Sequence, residues 1–197
     1  MNRRERKKEA IRLHVIEEAM RLFRQQGFDS TTMEQVASQA DVSKATLYKY
    51  FSVKEAIVAG YWKSSVSQKT DLLPQLFASI SDTKGRILAV FLSAGTTFKS
   101  EPEFAYIQLK YQLQKFGEQP LNGDARSGFE GFLEKLLEQG QKQRDIRGDI
   151  LVSDMASQLL FLFTSTCLIW FSNPNIFPLE KRLNQTVDIF FEGAQYA

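Results

Sequence analysis

The 197-residue sequence has one cysteine, one histidine and only five prolines. A single Cys167 excludes a disulfide framework and any multi-cysteine zinc site. A single His14 leaves little for histidine catalysis or metal binding. There are no paired metal ligands and no phosphate-binding glycine loop, so an enzyme and a resident cofactor are not expected. Net charge is also scarce: the formal value is +2. It is unevenly spread, with 11 Lys/Arg against 8 Asp/Glu in residues 1–60 and 14 against 15 in the rest. Five of the first eight residues, MNRRERKK, are basic. Such an arm can contact phosphates or an anionic surface, or remain a solvated terminus.

Long hydrophobic runs are missing as well. Residues 155–179 contain no charge, but the apolar core LLFLFTSTCLIWF is shorter than the roughly 20 residues a membrane span needs. A helix buried on all sides, or shared with a second subunit, is the expectation. The polar N-terminus has no secretory h-region, so a cytoplasmic protein without a membrane partner is expected.

What is present is helical periodicity. Ile11, Val15, Ala19 and Phe23 recur every four residues, and Gly27 follows as a C-terminal cap signal. Met33, Val36, Ala37 and Ala40 mark a second, short helix, which Asp41 ends. Ser43 can cap a third helix carrying Leu47 and Phe51 on one face. Ser52 and Glu55 fit a capping box for a fourth. Pro74 and the 79–83 stretch end that region. Further helices are predicted at 83–100, 102–116, 124–143, 150–172 and 178–195, with breaks at 117–124 and 172–178. The fold class is all-α.

Residues 32–51 match a helix-turn-helix, two short helices joined by a tight turn. Val36, Ala37, Ala40, Val42, Leu47 and Phe51 can form its core. The second helix then turns Lys44, Ala45, Tyr48 and Lys49 to solvent, a face without acidic residues that suits phosphates and base edges. An ordinary helical hairpin with a solvated face fits the same periodicity.

The stretch TTMEQVASQADVSKATLYKYFSVKEAI resembles the DNA-binding signature of TetR-type transcriptional regulators. The shared positions include Thr32, Val36, Ala37, Ala40, Val42, Ser43, Leu47, Tyr48, Tyr50, Phe51, Lys54 and Glu55. The resemblance reaches back through Ala19, Leu22, Phe23, Gly27 and Phe28. Asp41 and Ala45 stand where the family often has glycine.

The resemblance implies an N-terminal three-helix DNA-binding domain, residues 1–52, and a larger helical effector-binding and dimerisation domain, residues 53–197. It implies that Thr32 bonds a phosphate and that Lys44, Ala45 and Thr46 face the major groove. Tyr48 and Tyr50 would bond phosphates, and Lys49 a phosphate or a base. Ser43 joins that set, and Lys54 would add charge at a helix N-terminus. The basic residues 3–8 could track the backbone or enter a minor groove.

For the C-terminal domain the resemblance implies an apolar effector cavity. Its candidates are Phe91, Thr96, Phe98, Tyr106, Lys110, Tyr111, Phe132 and Phe161. It also implies a dimer interface on the last two helices: Leu159, Leu162, Phe163, Thr166, Ile169 and Trp170 on one, Val187, Phe190 and Phe191 on the other. The implied function is a homodimeric, ligand-responsive repressor of a palindromic operator, released by a small apolar effector. The alternative on the same fold is an architectural or division-control DNA-binding protein.

Overall fold

The computed structural model describes residues 2–116 and 128–193. Within them the chain is all-α, with no strand among the described residues. It forms two compact units, Met1–Ser65 and Val66–Ala197. The division falls inside the fourth helix, where 52/53 was expected.

The first unit contains α1 (Arg3–Gln26), α2 (Met33–Gln39), α3 (Lys44–Tyr50) and most of α4 (Lys54–Thr70). Its core is Val15, Ile16, Ala19, Met20 and Phe23 of α1 against Val36, Ala37, Leu47, Phe51, Ile57 and Val58. Gly60 explains why α4 is partly in this unit: a Cβ there would lie 2.9 Å from Ile16 Cδ1 and 3.2 Å from Phe51. The helix meets α1 with no room for a side chain.

The basic residues 3–8 are the first turns of α1. The cause is local: the Asn2 side chain accepts from Glu5 N–H, and Glu5 Oε2 accepts from Asn2 N–H, both at 2.9 Å. This capping box starts the helix upstream of the apolar stripe. Gly27 ends α1 at φ +89°.

The second unit contains α5 (Leu73–Ser79), α6 (Thr83–Ser100), α7 (Pro102–Phe116), α8 (Gly128–Gln143), α9 (Val152–Ser172) and α10 (Leu179–Glu192). Helix α5 was not anticipated. Pro74 lies in its first turn, where the missing N–H has no intrahelical acceptor to lose, so it starts a helix here. The expected break at 117–124 lies outside the described residues.

Helix α9 packs on α7, α8 and α10, and α6 packs on α7, α8 and α10. By length and composition α9 could cross a membrane. In the unit it buries Met155, Ala156, Leu159, Phe163, Thr164, Cys167 and Trp170. Burial pushes the Cys167 thiol well above its usual range, which removes it as a nucleophile at neutral pH. Two ion-pair groups tie α6 to α10: Lys84 with Asp188 at 2.8 Å and with Glu192, and Lys99 with Glu180. Buried Arg86 donates to the carbonyls of Ile80 and Ser81 at 2.8 and 2.9 Å and to Gln143 Oε1 at 2.6 Å.

Candidate nucleic-acid interface

The turn between α2 and α3 is fixed by the backbone. Ala40 N–H donates to Val36 O at 3.0 Å, and Val42 N–H to Ala37 O at 3.0 Å. Asp41 between them has φ +50°, the left-handed conformation that Asp tolerates better than most residues. The turn therefore closes without glycine.

Both helices are capped by the residues read as caps or contacts. Thr32 Oγ1 accepts from Gln35 N–H at 3.2 Å, and Gln35 Oε1 accepts from Thr32 N–H at 2.8 Å. Ser43 Oγ accepts from Thr46 N–H at 3.1 Å. The Ser43 and Thr46 hydroxyls also hydrogen-bond each other at 2.9 Å, so that pair has one hydroxyl proton left to donate outward, and the first-turn N–H groups favour an anion.

Leu47 and Phe51 are buried, and this orients α3. Lys44, Ala45, Tyr48 and Lys49 are exposed on the opposite side; Thr46 and Tyr50 are half-buried at its edges. Among the nine residues expected to contact DNA, eight therefore lie on α3 and the two cap positions. They form a surface of two ammonium groups, hydroxyls and a methyl.

Two neighbours of this surface were not foreseen. Glu34 of α2 places Oε1 3.2 Å from Lys44 Nζ. The carboxyl is held below the usual range by its own backbone N–H and by Lys44. A face read as free of acid on α3 alone thus borrows one from α2, a contact visible only once the helices cross. Lys54, the ninth residue, is half-buried and otherwise occupied. Its Nζ donates to Phe28 O at 2.6 Å and Asp29 O at 3.3 Å, and lies 4.5 Å from the Phe28 ring centroid. It clasps the loop after α1 and has one proton left.

The second unit separates the expected effector residues. Phe91, Phe98 and Phe132 are buried. Phe91 and Phe98 join a ring cluster around Phe163, at centroid distances of 4.7 and 5.7 Å, with Phe129 at 5.2 Å. Thr96 is exposed, and its hydroxyl donates to Leu92 O at 3.0 Å within its own helix. Tyr106 and Lys110 are exposed and pair at 5.5 Å; half-buried Tyr111 lies under Lys115. Phe161 points outward, 53% exposed. Of these eight, Phe91 and Phe98 thus meet in the ring cluster, while Tyr106 and Lys110 share the exposed side of α7. Phe129 and Phe171 belong to the cluster and were not in the set. A surface hollow bordered by Glu134, Glu138, Asp149, Ile150 and Leu151 shares no residue with it.

The expected dimer residues divide in the same way. Leu159, Phe163, Trp170 and Val187 are buried by their own chain, so they form the core of the protomer. A helix apolar nearly all round does not reveal which side its own unit covers. Thr166 is half-buried and hydrogen-bonds the Thr186 hydroxyl at 2.7 Å. Leu162, Phe190 and Phe191 are half-buried, and Ile169 is 52% exposed. Phe161 and Ile189 share that exposure.

Comparison with known proteins bears on the whole chain. A model of the bacterial regulatory proteins of the tetR family matches residues 15–61. The uncharacterized HTH-type transcriptional regulator YdeS of Bacillus subtilis is 31% identical over 147 residues, spanning 71% of this chain and 70% of that protein. The crystal structure of Thermus thermophilus FadR, a TetR-family transcriptional repressor in complex with lauroyl-CoA, superposes with a TM-score of 0.78. It is 23% identical and covers 94% of this chain and 96% of that one. Bacillus subtilis FadR in complex with stearoyl-CoA gives a TM-score of 0.62 at 18% identity, covering 93% and 99%. At those identities the likeness establishes a shared fold.

Proposed function

The chain belongs to the TetR family of bacterial transcriptional regulators, and from that premise we propose that it is a cytoplasmic homodimeric repressor of a palindromic operator, released by an acyl-CoA thioester. The observation that carries the DNA-binding reading is the exposed face of α3, held outward by buried Leu47. Thr32, Ser43, Lys44, Ala45, Thr46, Tyr48, Lys49 and Tyr50 are the proposed contacts. Lys54 holds the loop behind them and offers its remaining proton to a phosphate.

A monomer reads one half-site. Two-fold symmetry sets two α3 helices about 34–36 Å apart, one turn of DNA, and turns a weak contact into a specific one. The outer side of α9, with Phe161 and Ile169, and Ile189 of α10 supply apolar surface for that pairing.

The acyl-CoA reading rests on two regulators that share this fold over nearly the whole chain and were solved in complex with such ligands. The ring cluster of Phe91, Phe98, Phe129 and Phe163 is the apolar chemistry an acyl chain needs. Helix α4 runs from one compact unit into the other and is the proposed carrier of the change. A ligand moves the equilibrium only through its different affinity for the two states.

Capture of genomic DNA by the purified protein, with sequencing and a salt titration, tests this reading. A short palindrome beside one or a few promoters, released by lauroyl-CoA, is expected. Many dispersed sites would favour an architectural role, and sequence-independent capture would reject the repressor reading.

A further inference from the structure

Helix α7 carries one polar group that its surroundings leave unanswered. Its inward face is otherwise apolar, with Phe104, Ala105 and Leu109 buried. Gln108 lies on that face and is 9% exposed. Its Oε1 is shut off from solvent and accepts no hydrogen bond among the described residues. Roughly nine in ten or more buried polar groups have a partner, and an exception calls for a reason.

The surroundings suggest one. The buried face of α7 turns to α6 and α9, the helices it packs on. Those helices carry Phe98 and Phe171, with ring centroids 6.4 Å apart, and Tyr106 of α7 lies 5.5 Å from Phe171. Phe98 continues into the cluster around Phe163. A lone acceptor thus lies on the buried face of a helix that packs on two ring-bearing helices. Apolar ligand sites are built in this way, from rings and a few placed polar atoms.

We propose that Gln108 is the polar anchor of the effector site. Its Oε1 accepts a hydrogen bond from an N–H or O–H on a ligand whose apolar part lies against the rings of α6 and α9. This inference rests on the reading of the second unit as ligand-binding. For an acyl-CoA it assigns the donor to the pantetheine arm, because the thioester itself offers only acceptors and the arm carries amide N–H groups.

Calorimetric titration with a matched pair, 1-dodecanol and dodecyl methyl ether, isolates the donor. The protein is expected to bind the alcohol about tenfold more tightly than the ether, the effect of one hydrogen bond to a buried partner. Gln108→Leu should bind the two alike and should bind lauroyl-CoA about tenfold more weakly than the unaltered protein. Equal affinities of the unaltered protein for alcohol and ether, or binding of neither, overturn the anchor.

Thermal melting without ligand is the second readout. Replacing an unanswered acceptor by an apolar side chain of similar length should leave Tm unchanged or higher. A fall of several degrees would mean that Gln108 bonds within the folded protein, and would also overturn the proposal. Failure of lauroyl-CoA alone, with the preference for the alcohol intact, removes the acyl-CoA reading and keeps Gln108.

Discussion

Asp145 closes the start of α6 through Thr83. Its Oδ2 accepts from Thr83 N–H at 2.6 Å, and its Oδ1 from the Thr83 hydroxyl at 3.0 Å. A carboxylate just beyond α8 therefore caps another helix, at the end where the dipole favours negative charge. Arg144, at φ +61°, turns the chain to bring it there. Gly140 leaves the room: a Cβ on it would lie 2.2 Å from Thr83 Oγ1 and 3.0 Å from Asp145 Oδ1.

Two glycines of α8 should then respond oppositely to alanine. Inside a helix, alanine is favoured over glycine by about 1 kcal/mol. At Gly131 no atom of the described residues outside its own helix backbone lies within 4 Å of the added Cβ, so Gly131→Ala should stabilise by up to about that amount. At Gly140 the methyl meets a buried, bonded hydroxyl and displaces the cap. Overpacking of this kind costs about 1–3 kcal/mol and outweighs the propensity gain. Denaturant unfolding of the two variants should show opposite signs.

Lys49 and Glu34 should move operator affinity in opposite directions. Lys49→Ala removes an exposed charge of α3 and should weaken binding, with a salt slope shallower by about one. Its melting temperature should stay unchanged. Glu34→Gln releases Lys44 from its carboxylate and removes a negative charge beside the groove. It should tighten binding. Fluorescence anisotropy on a labelled operator, over a range of salt, reads both.

Lys54 should act on stability first. Lys54→Met keeps the aliphatic stem but loses the bonds to Phe28 O and Asp29 O and the cation over the Phe28 ring. A loss of about 1–2 kcal/mol is expected in unfolding measurements. Operator affinity should fall with it. This separates Lys54 from Lys49, whose replacement leaves the fold untouched.

The outer side of α9 should govern assembly. Phe161→Glu with Ile169→Glu places two charges on apolar positions that are more than half exposed. Sedimentation should show a monomer that melts as a folded protein, with operator binding lost. Leu159→Glu, at a fully buried position, should fail to fold instead.

Much of the first unit was legible because its information is local. The caps at Thr32 and Ser43 and the left-handed Asp41 are properties of a few adjacent residues. The inward Leu47 and Phe51 follow from spacing along one helix. The ends of α6 and α7 were readable for the same reason. Glu34 beside Lys44 was not, since it depends on how two helices cross. The second unit was harder for a physical reason: its helices are apolar on more than one side. Phe161 and Phe163 are two residues apart on α9, yet one is exposed and the other is in the ring cluster. Composition cannot separate them; the neighbours α7, α8 and α10 do.

The helical start of α1 also limits reach. Six residues, 3–8, advance about 9 Å as a helix, against about 20 Å fully extended. Along one DNA strand that is about three nucleotides in place of six. The basic residues then form a short helical stub that spans about half as many phosphates as the same residues would if extended.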